Sequence, residues 1–408
     1  MRRIIIPAVT IILFLTGCKD GTLLPQGIEI TDMGMVRIMA VDKGKAPDTV
    51  KVSIIAGEKE GGSGGGGGSE TQGQSPKSQA VVLTSEGKSV LEAGREFQTY
   101  TDKRMFLGHV DFYLIGEEAA RENLPKYIDF LSRDDEVRLN SAIFIVEGDA
   151  STILEISNRS NYFLPDRLKS LSTNISLLSF SDKMELLDLV GELDENKTFG
   201  IAVPCIIQTK HTEQQKGGEI EAKGDFILDG YVIIKDLKLI DFIHRPISRG
   251  YNFIRNKVIS GTIDVSDPKG NTVSMEILGS ETSIVPKIEG NRLVGVNIKT
   301  RFETNINEIH STENIFKQDT LRFLEQQQSN EIKSEMEKCV EFAKEHKTDF
   351  IGIGKKVNLK HPIIWEGLKD QWPLIFANLP VAIEVESKIN RTYNIREPNG
   401  YTEEGGKH

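Results

Sequence analysis

Apolar residues alternate with a period of two in some stretches and recur at helical spacing in others. Val36, Ile38 and Ala40 alternate with polar or flexible neighbours, and so do Val50, Val52 and Ile54, across the turn-forming run 42–48. Two antiparallel strands are predicted there. Segment 58–78, EKEGGSGGGGGSETQGQSPKS, holds too few apolar residues for a core and predicts a flexible loop. A short helix is expected next, with Ser85 near its start and Val90, Leu91, Gly94 and Phe97 on one face. Val110, Phe112 and Leu114 mark a mostly buried strand, and 117–134 a helix restarted at Pro125. RLNSAIFIVEGDA predicts a further strand and SDKMELLDLVGEL a further helix. This interleaving predicts one mixed α/β domain over 28–207.

The polar run 208–224 contains Gly217-Gly218 and is read as a linker. Strands then return. Asp267-Pro268-Lys269-Gly270-Asn271 forms a turn between two of them. Val294, Val296, Ile298, Thr300, Phe302, Thr304 and Ile306 share one parity, opposite Lys299, Arg301 and Glu303. That pattern predicts a half-solvated antiparallel strand. From Leu321 the period changes. Leu324, Ile332, Met336, Cys339, Ala343 and His346 predict a helix over 319–347, ~40 Å long at 1.5 Å per residue. VAIEVESKINRTY supplies a last strand. The expected class is α+β and multi-domain, with an antiparallel sheet and the long helix in a C-terminal domain, 225–397, and a disordered tail, 398–408. The apolar stripe of the long helix thins at QQQSN, 326–330. Two readings of its N-terminal part follow: a surface helix with a polar outer face, or a projecting segment that offers Glu325, Gln326, Gln327 and Gln328 to a partner.

The first residues change the picture of where the chain resides. Arg2 and Arg3 precede an apolar run from Ile4 to Leu15, too short for the ~20 residues that span a bilayer. The run ends in Leu15-Thr16-Gly17-Cys18, which resembles the lipobox of bacterial lipoproteins. The resemblance implies a signal peptide over 1–17, a lipidated Cys18, and a tether over 18–27. Loss of Arg2 and Arg3 takes the formal charge from −10 to −12. This acidity argues against nucleic acid, and against anionic lipid heads, as main partners. Cys205 and Cys339 complete the cysteines. An exported pair has the option of a disulfide, but two buried free thiols are expected.

Candidate chemistry is sparse. The seven histidines show no His-Glu-x-x-His and no i, i+4 pair, so no metal site is expected. There is no Gly-x-Ser-x-Gly elbow. No catalytic residue and no cofactor is assigned. Gly352-Ile353-Gly354-Lys355-Lys356 lacks P-loop spacing and is read as a helix-to-strand turn. Arg133-Asp134-Asp135-Glu136-Val137-Arg138 is read as a helix end whose charges cap and cross-pair. Trp365 and Trp372 are expected on one face of a helix, packed against the long helix.

Four segments together resemble the Ger(x)C family, the lipoprotein C subunits of spore germinant receptors in endospore-forming bacteria. They are LTGC; FLGHVDFYLIGEEAA with FLSRDDEVRLNSAIFIVEGDA; GYVIIKDLKLIDFI with RGYNFIRNKVISGTIDV; and DFIGIGKKVNLKHPIIW with VAIEVESKINRTYNI. Cys18-Lys19-Asp20 departs from the aromatic and acidic start of many members and touches only the tether. The resemblance implies a non-enzymatic subunit of a nutrient-sensing membrane complex. Its partners would be a multi-helix A subunit and a transporter-like B subunit, at the outer face of the spore's inner membrane. The alternative is a solute-binding lipoprotein of a transport system, which predicts two similar βα lobes around a cleft. A surface hydrolase would need a nucleophile or metal constellation.

Overall fold

A computed structural model describes residues 32–57, 81–159, 163–193, 195, 198–214, 220–310 and 317–390. Cys18, the glycine-rich run 58–78 and the tail 398–408 lie outside them.

The first sheet is built around β1 (Met33–Lys43), followed by β2 (Val50–Ala56), β3 (Val81–Gly87) and α1 (Val90–Glu96). Then come β4 (Arg104–Phe106), β5 (Phe112–Gly116), α2 (Glu117–Arg133), β6 (Ala142–Val146), α3 (Ala150–Arg159), α4 (Leu164–Asn174) and α5 (Leu186–Leu193). Strands β7 (Ile201–Gln214), β8 (Ile220–Lys235) and β9 (Lys238–Ile243) complete it. The strand order is β3-β2-β1-β5-β6-β7-β8-β9, with β4 on the start of β1. Pairs β1–β5, β5–β6 and β6–β7 are parallel. Helices α1, α2 and α5 pack on one face and α3 and α4 on the other. The central strands are accordingly apolar on both sides.

A β-bulge between Val36 and Ile38 changes the parity of β1. Val36 therefore joins Met39 and Val41 in one core, while Ile38 and Ala40 enter the other. Asn123 breaks the helical backbone just before Pro125, where the sequence predicts a restart. Ser85 belongs to β3, and not to the start of a helix as expected. The cap of α1 is Ser89, whose side chain accepts from the Glu92 amide at 3.1 Å.

Two further expectations are corrected in the first sheet and at its border. Residues 208–214 and 220–224 are no linker but the arms of the β7–β8 hairpin, in register through Lys210–Gly224 and Glu213–Glu221. Their pairing is a backbone property that polar composition does not reveal. Because β8 and β9 sit in the first sheet, the spatial boundary falls after Ile243.

Helix α6 (Ile247–Ile254) leads to the second sheet, β10 (Gly261–Ser266), β11 (Thr272–Glu289), β12 (Arg292–Ile309) and β13 (Val381–Asn390), in that order. Between β12 and β13 come the long α7 (Gln318–Glu345), α8 (Ile353–Lys360), α9 (Pro362–Glu366) and α10 (Trp372–Asn378). The sheet is mixed rather than antiparallel, since β13 runs parallel to β12. A parallel pair needs a long crossover, and the helical excursion supplies it. On β12, Val296, Ile298, Thr300, Phe302 and Ile306 are buried, and Lys299 and Arg301 on the open face pair with Glu384 and Glu386.

Helix α7 lies on the sheet along its length and does not project. Leu324, Gln328 and Ile332 are fully buried. Ser387 Oγ donates to the Glu325 carbonyl at 2.7 Å, Ser387 N donates to Ser329 Oγ at 3.0 Å, and Ile389 N donates to Glu325 Oε1 at 3.0 Å. These polar contacts dock QQQSN on β13, which is why the thinning apolar stripe misled.

Candidate functional site

Two polar constructions stand out from the packed cores. The first is the seam between the modules. Tyr231 of β8 meets Tyr251 of α6 edge-on, with centroids 4.7 Å apart, and donates to Asn252 Oδ1 at 2.5 Å. Asn252 Nδ2 in turn donates to the Ser179 carbonyl at 2.9 Å. Arg249 of α6 holds buried Glu335 of α7 through two hydrogen bonds. A Cβ at Gly250 would overlap the Glu335 carbonyl, so α6 and α7 cross at a residue without a side chain. Phe199 stacks on Trp365 at 5.4 Å, and Lys355 reaches Glu195 at 2.8 Å. One continuous core includes Ala202, Tyr231 and Ile233 of the first sheet with the second module. The seam therefore joins the modules through packing as well as hydrogen bonds.

The same module holds the buried Asp349 carboxylate. It accepts from the amides of Gly352, Ile353 and Gly354 at 3.0, 2.9 and 2.5 Å and from Trp372 Nε1 at 2.9 Å. Burial pushes its pKa up to about 6, against the four donors that favour the charged form. The GIGKK run is thus the start of α8, with Gly352 at φ +84°, and not a helix-to-strand turn.

The second construction is a cleft of about 510 Å³ at the N-terminal ends of β1, β5 and β6. Arg37, His109, Asp111, Arg138, Lys169 and Lys183 contribute to its wall. Arg37 pairs with Asp111 at 2.6 Å and Lys183 with Glu185 at 3.2 Å. Among the described residues no carboxylate pairs with Arg138 or Lys169. The wall is basic on a chain of formal charge −10.

The residues singled out in the sequence take these places. Cys18 lies outside the described residues. Of the four expected partner contacts, Gln328 is buried, Glu325 is tied to β13, Gln327 is half-buried and Gln326 is exposed. They form no common surface. Cys205 and Cys339 are buried and free, as expected; Cys205 donates to the Asp229 carbonyl at 2.8 Å, and burial pushes both thiols up. The charge run 133–138 caps itself through the Glu136 amide, which donates to Asp134 Oδ1 at 3.0 Å, but its ion pairs go outside the run: Arg133 meets Asp129, and Glu136 meets Arg104, each at 2.8 Å. Arg138 instead enters the cleft. Trp365 and Trp372 meet edge-to-face at 5.0 Å, but from α9 and the start of α10 and not from one helix. Among the described residues no group of three His, Cys, Asp or Glu side chains is placed to hold a metal, and no helix is long and apolar enough to cross a membrane.

Residues 26–208 match the family described as the spore germination protein N-terminal domain, and residues 229–393 match the spore germination B3/GerAC-like C-terminal family. The chain belongs to the Ger(x)C family of spore germination proteins. Spore germination protein B3 of Bacillus subtilis (strain 168) is 26% identical over 342 residues, 79% of this chain and 83% of that protein. Spore germination protein KC of the same strain is 25% identical over 404 residues, 93% of each chain. The crystal structure of the GerBC protein superposes with a TM-score of 0.54 at 17% identity, over 86% of this chain and 96% of that one. That likeness concerns the fold, a multi-domain α+β arrangement. The C-terminal Ger(x)C match begins at residue 229, inside β8, so its first two strands pair within the first sheet. The cleft escaped sequence reading because its lining is scattered from Arg37 to Lys183, with no fixed spacing.

Proposed function

We propose that this Ger(x)C chain is the lipid-anchored C subunit of a nutrient germinant receptor, a non-enzymatic protein that takes part in triggering spore germination. The observation that carries the reading is family membership across both modules, joined to the lipobox-like Leu15-Thr16-Gly17-Cys18. Its work is then that of a scaffold. The seam fixes the two modules to each other, and the membrane-embedded A and B subunits are the partners. Diacylglycerol on Cys18 would hold it at the outer face of the spore's inner membrane. More than one acyl chain is needed for a stable anchor, at ~0.8 kcal/mol per buried CH₂.

Metabolic labelling with a palmitate analogue tests the anchor. The wild-type chain should carry label and sediment with membranes, and Cys18→Ala should lose both while keeping its fold. Label retained by Cys18→Ala would contradict the assignment.

A further inference from the structure

We propose that the cleft at the N-terminal ends of β1, β5 and β6 is a seat for the phosphate of an anionic membrane-lipid headgroup. The inference rests on the anchored orientation proposed above, but its test does not use the anchor. Two observations and one physical argument carry it.

The first is charge. Arg37, Arg138, Lys169 and Lys183 line the cleft against a single lining carboxylate, Asp111. Arg37 and Lys183 have acidic neighbours; Arg138 and Lys169 have none among the described residues. A guanidinium and an ammonium facing one concavity suit a phosphate, which takes paired hydrogen bonds from the first and a point charge from the second.

The second is position. The floor strand β1 begins at Met33, and Met35 lines the cleft. Cys18 precedes Met33 by fifteen positions. Fifteen residues span at most about 50 Å even when fully extended. A lipid on Cys18 therefore holds the mouth of the cleft close to headgroups, where their effective concentration is high.

The third is screening. The overall acidity of the chain weighs against anionic surfaces, and the sequence alone points that way. Exposed charges farther apart than a Debye length, ~8 Å in physiological salt, hardly act on the cleft. The local basic wall decides what it holds.

The test uses the chain from residue 18 onward with Cys18→Ser, so that any binding is independent of lipidation. Its sedimentation is measured with vesicles of pure phosphatidylcholine and with vesicles containing a third phosphatidylglycerol. Binding is expected only to the second kind. Arg138→Ala/Lys169→Ala should weaken it by roughly thirtyfold, the loss of two basic groups near an anionic surface. Lys299→Ala/Lys388→Ala, the same charge change on the second module, should leave it intact. Circular dichroism should be unchanged in both. Equal weakening by both pairs would mean a general charge effect and overturn the seat. Binding to neither vesicle would also overturn it. Within that outcome, chemical-shift changes at the cleft with inorganic phosphate would assign it to a soluble anion, and none would leave an acidic protein segment as its occupant.

Discussion

Arg249 and Glu335 form a two-pronged ion pair across the crossing of α6 and α7 in the second module, with Nε to Oε2 at 2.6 Å and Nη2 to Oε1 at 2.5 Å. Their side chains are 10% and 3% exposed. Arg249 Nη1 also donates to the Thr262 carbonyl at 2.9 Å, so the same guanidinium ties α6 to β10. Desolvation makes such a pair a weak net stabiliser, but removing one partner leaves a buried charge alone.

Arg249→Met should therefore destabilise the chain by about 3–5 kcal/mol in chemical denaturation. Arg249→Met/Glu335→Leu should recover most of that loss, because the orphaned carboxylate is gone. A double variant as unstable as the single one would show that the Thr262 contact, and not the pair, carries the crossing.

Asp349 gives the fold a pH-dependent increment whose sign is fixed. Its folded pKa is raised from 3.8 to about 6, with burial the leading cause. The stability it adds is fully present below about 3.8 and is lost as pH rises through about 6. The difference in unfolding free energy between wild type and Asp349→Asn should thus shift by ~2 kcal/mol in favour of wild type on going from pH 7 to pH 4. The asparagine also turns one acceptor into a donor facing the Gly354 and Trp372 N–H groups, or the Gly352 and Ile353 pair, which costs about 1–3 kcal/mol at neutral pH. Parallel stability curves for the two proteins would contradict the assignment of this proton.

The long helix offers a contrast within three residues. Gln326 is exposed, and its amide donates to Asn330 Oδ1 at 2.9 Å. Gln328 is fully buried, with neither amide atom hydrogen-bonded. Gln326→Lys should leave stability within about 0.5 kcal/mol. Gln328→Glu would bury an unpaired charge and should cost several kcal/mol, whereas Gln328→Met, which removes the unsatisfied polar atoms at similar size, should stabilise. Thermal melts of the three variants check this order.

These contrasts mark what the chain shows before it folds. The period-two run on β12 and the helical stripe of α7 were legible because one face of each is buried, and burial imposes its period on the sequence. The kink at Pro125 was legible because proline cannot donate. The β7–β8 hairpin was missed because its outer arms, 208–214 and 220–224, are held by backbone pairing, to which side-chain composition is blind. The docking of QQQSN was missed for a related reason: Ser329 and Ser387 stand 58 positions apart and meet only in the fold. Arg138 was noticed within a charge run, but nothing in its surroundings connects it to Lys169 or Arg37. Cores follow periodicity; concave sites are assembled from separate segments, and spacing does not report them.

The central claim, that this Ger(x)C chain works as the anchored subunit of a membrane receptor, is tested most directly by purifying the full chain from detergent-solubilised membranes of the spore. The account predicts that a multi-helix A subunit and a transporter-like B subunit accompany it in a fixed ratio, and that Cys18→Ala, released from the membrane, recovers neither. Recovery of the membrane-bound wild-type chain alone, with neither subunit beside it, would contradict the account.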